Sequence, residues 1–117
     1  MIVREARALL DQGVKELNLV AQDLTEWGCD LDGKQDLRTL LDGLLPLQGL
    51  ERLRLMYLYP AGMTHEMLKY LREAGKPFVP YFDVPVQHSH PDVLSRMGRP
   101  FARNPREAID RIRNVFP

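Results

Sequence analysis

Several features that define common protein classes are scarce or missing in this sequence of 117 residues. It holds one cysteine, which excludes a disulfide framework and any site built from several thiolates of this chain. No apolar run approaches the roughly 20 residues of a membrane-spanning helix. Residues 1–5 (MIVRE) have neither the apolar core of a signal peptide nor the acid-poor character of a transit peptide. We therefore expect a cytoplasmic protein with no membrane partner.

An excess of charge of either sign is also missing, with 16 Lys and Arg against 16 Asp and Glu. A domain that binds nucleic acid mainly through its phosphates is usually basic, so the composition does not favour that class. One local group of arginines is interpreted as a solvated helical face, with a polyanion or partner surface as the alternative. The group comprises Arg96, Arg99, Arg103, Arg106, Arg111 and Arg113.

Helical periodicity recurs along the chain, which is 44% hydrophobic and short enough for one domain at most. A first helix has Val3, Ala6, Leu9 and Leu10 on one face and ends at Gly13. The leucines at 37, 40, 41, 44 and 45 predict a second helix that stops at Pro46. A third runs from a Thr64 cap to Gly75. Two further helices begin at Pro91 and Pro105, the latter after an Asn104 cap.

Three apolar segments between these helices are predicted to be strands. They comprise residues 16–21, which we expect to be buried on both faces because Val20 is apolar, residues 53–59 and residues 78–84. Strands separated by helices form right-handed crossovers and a parallel sheet. Three strands are few for an independent α/β domain, since both edge strands need cover. The predicted fold is therefore part of a TIM-like (βα) barrel.

Polar side chains follow each predicted strand at its carboxyl end, where parallel α/β folds build their sites. Gln22 and Asp23 follow the first strand, and Tyr57 and Tyr59 lie at the end of the second. Residue 83 (Asp) and residues 87–88 (Gln-His) end the third. Such convergence predicts a ligand site. The alternatives are that the first pair satisfies loop backbone groups, that the tyrosines are half-buried core residues and that residues 87–88 cap a helix.

Two residues of this region have open interpretations. An unpaired carboxylate in an apolar strand is costly, so Asp83 is expected to be functional or charge-paired. Trp27, in a polar loop, is either a partner contact or a local packing anchor.

Other chemistries have little support. His88 and His90 have a spacing that binds metal on a strand, but Pro91 makes His90 a cap or surface residue, and only His65 is left as a third ligand. Cys29 has no basic neighbour that would make it reactive. No phosphate-binding glycine loop and no Ser–His–Asp triad can be argued from the sequence.

Three blocks of sequence resemble the radical S-adenosylmethionine methylthiotransferases, in order and over nearly the whole chain. The first block is residues 19–23 (LVAQD), followed by Thr25, Gly28, residues 30–31 and residues 33–34. The second block is residues 54–60 (RLMYLYP). The third block is residues 81–88 (YFDVPVQH), followed by Leu94 and residues 97–99 (MGR). Residues 21–23 (AQD) are similar to the branch that modifies an aspartate of a small-subunit ribosomal protein, whereas the tRNA-modifying branch usually has Gly-Gln-Asn. Leu24 and Trp27 depart from the family's usual Thr and Tyr.

The resemblance implies S-adenosylmethionine and two 4Fe-4S clusters as cofactors, a ribosomal protein as substrate and possible association with the ribosome. The cofactor yields a 5′-deoxyadenosyl radical, and the protein supplies orientation and exclusion of water. The three cysteines of the family's cluster loop would precede Met1, and Cys29 is in the wrong loop to replace them. We therefore expect residues 1–117 to be the central part of the barrel domain, without the cluster-binding part and the C-terminal β-barrel domain. Such a section would be inactive alone and prone to self-association through exposed sheet edges.

The resemblance also implies roles for individual residues at the carboxyl end of the sheet. Cofactor-binding residues would be Gln22, Asp23, Tyr59, Asp83 and Gln87, and substrate neighbours would be His88 and Trp27. Two alternatives remain beside this hypothesis. The chain could be a section of a tRNA methylthiotransferase, or it could be a non-catalytic α/β binding module that is complete and unfolds cooperatively.

Overall fold

Helices and strands alternate along the chain, of which the computed structural model describes residues 1–31, 33, 35–99 and 105–117. The helices are α1 (Ile2–Asp11), α2 (Leu37–Leu44), α3 (His65–Ala74), α4 (Pro91–Arg96) and α5 (Pro105–Val115). The strands are β1 (Glu16–Leu19), β2 (Arg52–Leu55) and β3 (Phe78–Phe82), with 3₁₀ turns at Leu24–Glu26 and Pro60–Gly62. The strands form one parallel sheet in the order β1-β2-β3. The α/β class and the parallel sheet are confirmed, while three strands do not close a barrel.

The predicted helix ends are confirmed where side chains or glycines fix them. Gly13 follows α1 with a φ of 93°, and its amide donates to the carbonyl of Leu10. At α3, the Thr64 hydroxyl accepts from the amide of Met67 at 3.2 Å, and Gly75 follows the last turn. The predicted Asn104 cap lies outside the described residues. Local hydrogen bonds of the kind that sequence patterns encode therefore set these boundaries.

The first strand is shorter and more open than predicted. β1 ends at Leu19, and Val20 is 64% exposed, so the prediction of a strand buried on both faces is wrong. β1 is an edge strand of the described sheet and pairs with β2 alone. An edge strand has neighbours on one side only, so an apolar side chain near its end can stay exposed. Leu9, predicted to face the core, is likewise 37% exposed.

A leucine-rich core lies between the sheet and the helices, with Leu41, Leu44, Leu53, Leu55, Leu58 and Leu68 fully buried. Helix α5 closes one side of it. Phe116, just beyond α5, packs its ring against those of Phe78 and Phe82, with centroids 6.2 and 5.0 Å apart. This layer holds β3 in place beside β2.

The arginines after residue 95 do not form a single solvated face, which corrects the favoured interpretation. Arg111 donates to the main-chain carbonyl of Met63 at 3.0 Å, and Arg106 lies 3.9 Å from Asp110. Arg99 lies over an aromatic ring, as described below, and Arg103 falls outside the described residues. These side chains are separated because they belong to α4, α5 and the segment between them.

A compact ion-pair cluster joins β1 and β2 at the amino end of the sheet. The Glu16 carboxylate accepts from Arg52 at 2.5 Å and from Arg54 at 2.6 Å. These two hydrogen bonds hold the pKa of Glu16 below its ordinary value. The guanidinium of Arg54 also lies 5.8 Å from the centre of the Tyr81 ring. Every charge named here has an opposite partner, so these charges are compensated within this end of the sheet.

Candidate functional site at the carboxyl end of the sheet

One cavity of about 520 Å³ is lined by residues that follow each of the three strands and helix α4. We call it the carboxyl-end pocket, and its lining residues are Gln22, Asp23, Tyr57, Tyr59, Pro85, Gln87, Met97, Gly98 and Arg99. The predicted convergence of polar groups from the three strands is therefore present in the structure. Amide, carboxylate, phenol and guanidinium groups line a volume within the usual range for small-molecule sites.

Strained backbone marks this pocket. Among the residues that the structure describes, Tyr57 (φ 56°) and Gln87 (φ 64°) are the two non-glycine residues with positive φ, and both line the pocket. The left-handed conformation is unfavourable for residues with a Cβ, and such residues cluster at functional sites. At Tyr57 it also ends β2, which stops at Leu55 instead of continuing to residue 59 as predicted.

Asp83 maintains the turn at Tyr57. Its carboxylate accepts a hydrogen bond from the Tyr57 amide at 3.1 Å, and its main-chain carbonyl accepts from Leu58 at 2.9 Å. The Tyr57 carbonyl in turn accepts from Leu24 at 3.2 Å. Asp83 forms no ion pair with a described residue and is not among the lining residues. The charge-paired interpretation is therefore wrong for the described chain, and its side chain supports the pocket from outside.

Asp23 has a structural task beside its place in the pocket. One of its carboxylate oxygens accepts from the Thr25 amide at 3.0 Å and from the Thr25 hydroxyl at 2.6 Å. These bonds cap the 3₁₀ turn after β1. A Cβ on Gly62 would overlap the side chain of Thr25, so the turns after β1 and β2 pack in close contact. The prediction that Asp23 satisfies backbone groups of its loop is confirmed, and the same residue also lines the cavity.

Arg99 lines the pocket, although the sequence placed it only in the arginine group after residue 95 and in the third block of the resemblance. Gly98, with a φ of 70°, follows α4; its amide donates to Ser95, and the Arg99 amide donates to Leu94 at 2.9 Å. This pair of bonds is a Schellman motif, which fixes the direction of the chain after a helix. The guanidinium of Arg99 lies 5.3 Å from the centre of the Tyr59 ring. A glycine followed by a cation just past a helix was the signal for Arg99, whereas Met97 and Pro85 were marked only by the third block of the resemblance.

The predicted substrate neighbours lie elsewhere. His88 and His90 are exposed; the Nδ1 of His88 accepts from the His90 amide at 2.9 Å, and the Nδ1 of His90 accepts from Asp92 at 3.3 Å. The prediction that His90 caps a helix is confirmed. Trp27 is half-buried and packs against the core, in agreement with the packing-anchor interpretation, and it does not line the carboxyl-end pocket.

Cys29 lacks the surroundings of a reactive or metal-binding thiol. Its Sγ lies 3.4 Å from a carboxylate oxygen of Glu26, and this hydrogen bond, with burial, raises the pKa of the thiol. Over the part of the chain that the structure describes, no three His, Cys, Asp or Glu side chains are grouped as metal ligands. Nor does any helix within those residues have the length and apolar character needed to cross a membrane.

The fold and the pocket define a parallel α/β arrangement with a cavity at the carboxyl ends of its strands. No family model matches the chain. It is 71% identical over 113 residues to the ribosomal protein uS12 methylthiotransferase RimO of Oleidesulfovibrio alaskensis, covering 97% of this chain and 26% of that protein. RimO of Lawsonia intracellularis is 67% identical over 116 residues, which cover 99% of this chain and 26% of that protein. RimO of Nitratidesulfovibrio vulgaris is 63% identical over 117 residues, which cover 100% of this chain and 27% of that protein.

The chain is homologous to a section of proteins named uS12 methylthiotransferases, which confirms the resemblance of its three sequence blocks to methylthiotransferases. It spans about a quarter of the length of the curated relatives that it matches.

Proposed function

We propose that the chain is the central section of an enzyme that methylthiolates an aspartate of ribosomal protein uS12. The observation that carries this proposal is the identity of 63 to 71% to proteins of that name over nearly the whole chain. In this proposal the section lines the cofactor and substrate cavity and is inactive alone. The cytoplasm would be its compartment, and the whole enzyme would associate with the ribosome or with free uS12.

S-adenosylmethionine fits the chemistry of the carboxyl-end pocket. The volume of about 520 Å³ is sufficient for a molecule of this size, and amide and phenol groups are available for its ribose and its amino-acid end. Gln22, Tyr59 and Gln87 would hold it, with Asp23 beside them. When bound, this cofactor supplies the radical chemistry of the proposed reaction. Asp83 would act indirectly, by keeping Tyr57 in the conformation that shapes the pocket.

An iron–sulfur cluster does not fit the residues of this chain. Cys29 is its one cysteine, and its raised pKa opposes the thiolate form that a cluster requires. Both 4Fe-4S clusters of the proposed enzyme would therefore be held by other sections. His88 and Trp27 would meet the substrate outside the pocket, at the surface between this section and those others.

The open edge of β1 supports the proposal of a section that self-associates when isolated. Val20 is exposed there, and a cavity of about 380 Å³ lies beside it, lined mostly by apolar residues of α1, β1 and α2. Unpaired edges and apolar patches favour association between copies. Light scattering of the isolated chain against a Val20→Lys variant would test this, since a charge on the edge should reduce association.

The test of the function uses the full-length protein that contains this section, expressed in bacteria that lack their own uS12 methylthiotransferase. Mass spectrometry of uS12 should then show one methylthio group on a single aspartate. Modification of a tRNA adenosine in place of uS12 would support the tRNA methylthiotransferase alternative. Modification of neither would contradict the enzymatic proposal and favour the binding module.

A further inference from the structure

We propose that Arg99 is the carboxylate-binding residue of the carboxyl-end pocket, an inference that rests on the proposed function. That function brings two carboxylates to the site: the α-carboxylate of S-adenosylmethionine and the side chain of the substrate aspartate. Both present the same planar pair of oxygens, which a guanidinium recognises through two parallel hydrogen bonds. The geometry assigns the residue, and the experiment below distinguishes the two sources.

The position of Arg99 is fixed by the backbone. The Schellman motif ties its amide to Leu94, which is fully buried, and it depends on the left-handed conformation of Gly98. The side chain therefore starts from a point anchored to the core, although it follows a short helix. A preorganised side chain loses less conformational entropy when a ligand binds.

The aromatic ring of Tyr59 then orients the guanidinium. The separation of 5.3 Å from the ring centre is within the range of cation–π contacts, and both side chains are half-buried. Among the described residues, no acceptor is hydrogen-bonded to the N–H groups of this guanidinium. Those groups stay free for an oxygen pair in the pocket.

The charge of Arg99 is uncompensated among the described residues, and unlike the other arginines without an ion pair it lines the carboxyl-end pocket. Arg52 and Arg54 share the Glu16 carboxylate, and Arg106 lies near Asp110. Arg99 has no carboxylate of a described residue within ion-pair distance. A half-buried cation without a counterion favours an anionic ligand.

The one other charged side chain that lines the pocket, Asp23, forms no ion pair with Arg99. Asp23 uses one carboxylate oxygen for the two hydrogen bonds from Thr25 that cap the turn after β1. The other lining residues are neutral. A ligand carboxylate would therefore find one cation available to it, and that cation is Arg99.

Binding measurements on the full-length protein test the proposal with Arg99→Met and Arg99→Lys. Equilibrium dialysis would give the Kd for S-adenosylmethionine and for its decarboxylated analogue, and fluorescence anisotropy the Kd for a uS12 peptide and for its Asp-to-Asn version. Arg106→Met, which removes an exposed arginine of α5, is the matched control and should change no Kd.

If the cofactor carboxylate is the ligand, Arg99→Met raises the Kd of S-adenosylmethionine by about tenfold to a hundredfold and leaves the Kd of the decarboxylated analogue unchanged. If the substrate carboxylate is the ligand, Arg99→Met raises the Kd of the Asp peptide and leaves the Kd of the Asn peptide unchanged. Arg99→Lys keeps the charge without the planar pair of donors, and its loss should be intermediate.

Three results would overturn the inference: unchanged affinity for both carboxylates, equal weakening of each ligand and its carboxylate-free partner in both Arg99 variants, or no difference between Arg99→Met and Arg106→Met. A wild-type protein that methylthiolates uS12 but gives one of these results would refute the role of Arg99 alone. A wild-type protein that binds neither S-adenosylmethionine nor uS12 would refute the proposed function, and the inference with it.

Discussion

The two ends of the same sheet are built in opposite ways. At the amino end, Glu16 neutralises Arg52 and Arg54 through short hydrogen bonds. At the carboxyl end, Tyr57 and Gln87 have strained conformations, and Arg99 has no carboxylate partner among the described residues. The amino end compensates its charges internally, whereas the carboxyl end holds strained backbone and an arginine without such compensation.

The comparison shows that the two ends of the sheet differ in features that cost stability. Strained backbone and uncompensated charge both cost free energy, and a fold keeps them only where the surrounding packing is strong. Here the packing is supplied by Leu58, which lies between Tyr57 and Tyr59 and is fully buried. Asp83 supports the same turn with two hydrogen bonds.

The largest expected effect comes from Leu58→Ala compared with Leu53→Ala, in the full-length protein. Both leucines are fully buried, Leu53 in β2 and Leu58 in the segment that follows it, so each variant should lose about 2–5 kcal/mol of unfolding free energy. Urea unfolding measures this loss. Under conditions where both stay folded, only Leu58→Ala should weaken S-adenosylmethionine binding. Equal effects on binding would remove the distinction between the two ends.

A smaller effect is expected from Gly98→Ala compared with Gly13→Ala. Both glycines have positive φ in Schellman motifs, and neither would bring a new Cβ within 4 Å of another atom outside its immediate chain neighbours. Each substitution should therefore cost about 1–2 kcal/mol through backbone strain alone. Thermal unfolding should give similar losses, while affinity for S-adenosylmethionine should fall only for Gly98→Ala. A normal affinity in that variant would show that the motif does not position Arg99.

The smallest effect is expected from Glu16→Gln, at the amino end. Because the pKa of Glu16 is lowered in the folded state, its ion pairs stabilise the protein above the ordinary glutamate pKa of 4.5. That contribution is lost as the pH falls through the lowered value. The difference in Tm between wild type and variant should therefore be present at neutral pH, shrink in acid and shrink with added salt, since both ion pairs are partly exposed. A difference that persists in acid would contradict the ion-pair explanation.

The sequence predicted more of the fold than of the site. The helices could be located because Gly13, Thr64 and Gly75 encode local hydrogen bonds. The convergence of Gln22, Tyr59 and Gln87 followed from the general geometry of parallel sheets.

The missed features depend on contacts between segments that are distant in sequence. The left-handed turn at Tyr57 requires Asp83, which lies 26 positions away. The contact of the Arg99 guanidinium with Tyr59 joins two different loops. The exposure of Val20 follows from the position of β1 at the edge of the sheet, which strand periodicity does not encode.

The most direct test of the difference between the two ends is the Kd of S-adenosylmethionine for the full-length protein carrying Gln87→Asn or Glu16→Gln. Asparagine tolerates positive φ, so Gln87→Asn shortens the side chain in the pocket without adding backbone strain. If the ligand binds at the carboxyl end, the Kd should be about tenfold higher for Gln87→Asn, because one hydrogen bond is lost, and unchanged for Glu16→Gln. Unchanged values for both variants, or an equal increase in both, would contradict the assignment of the ligand site to the carboxyl end of the sheet.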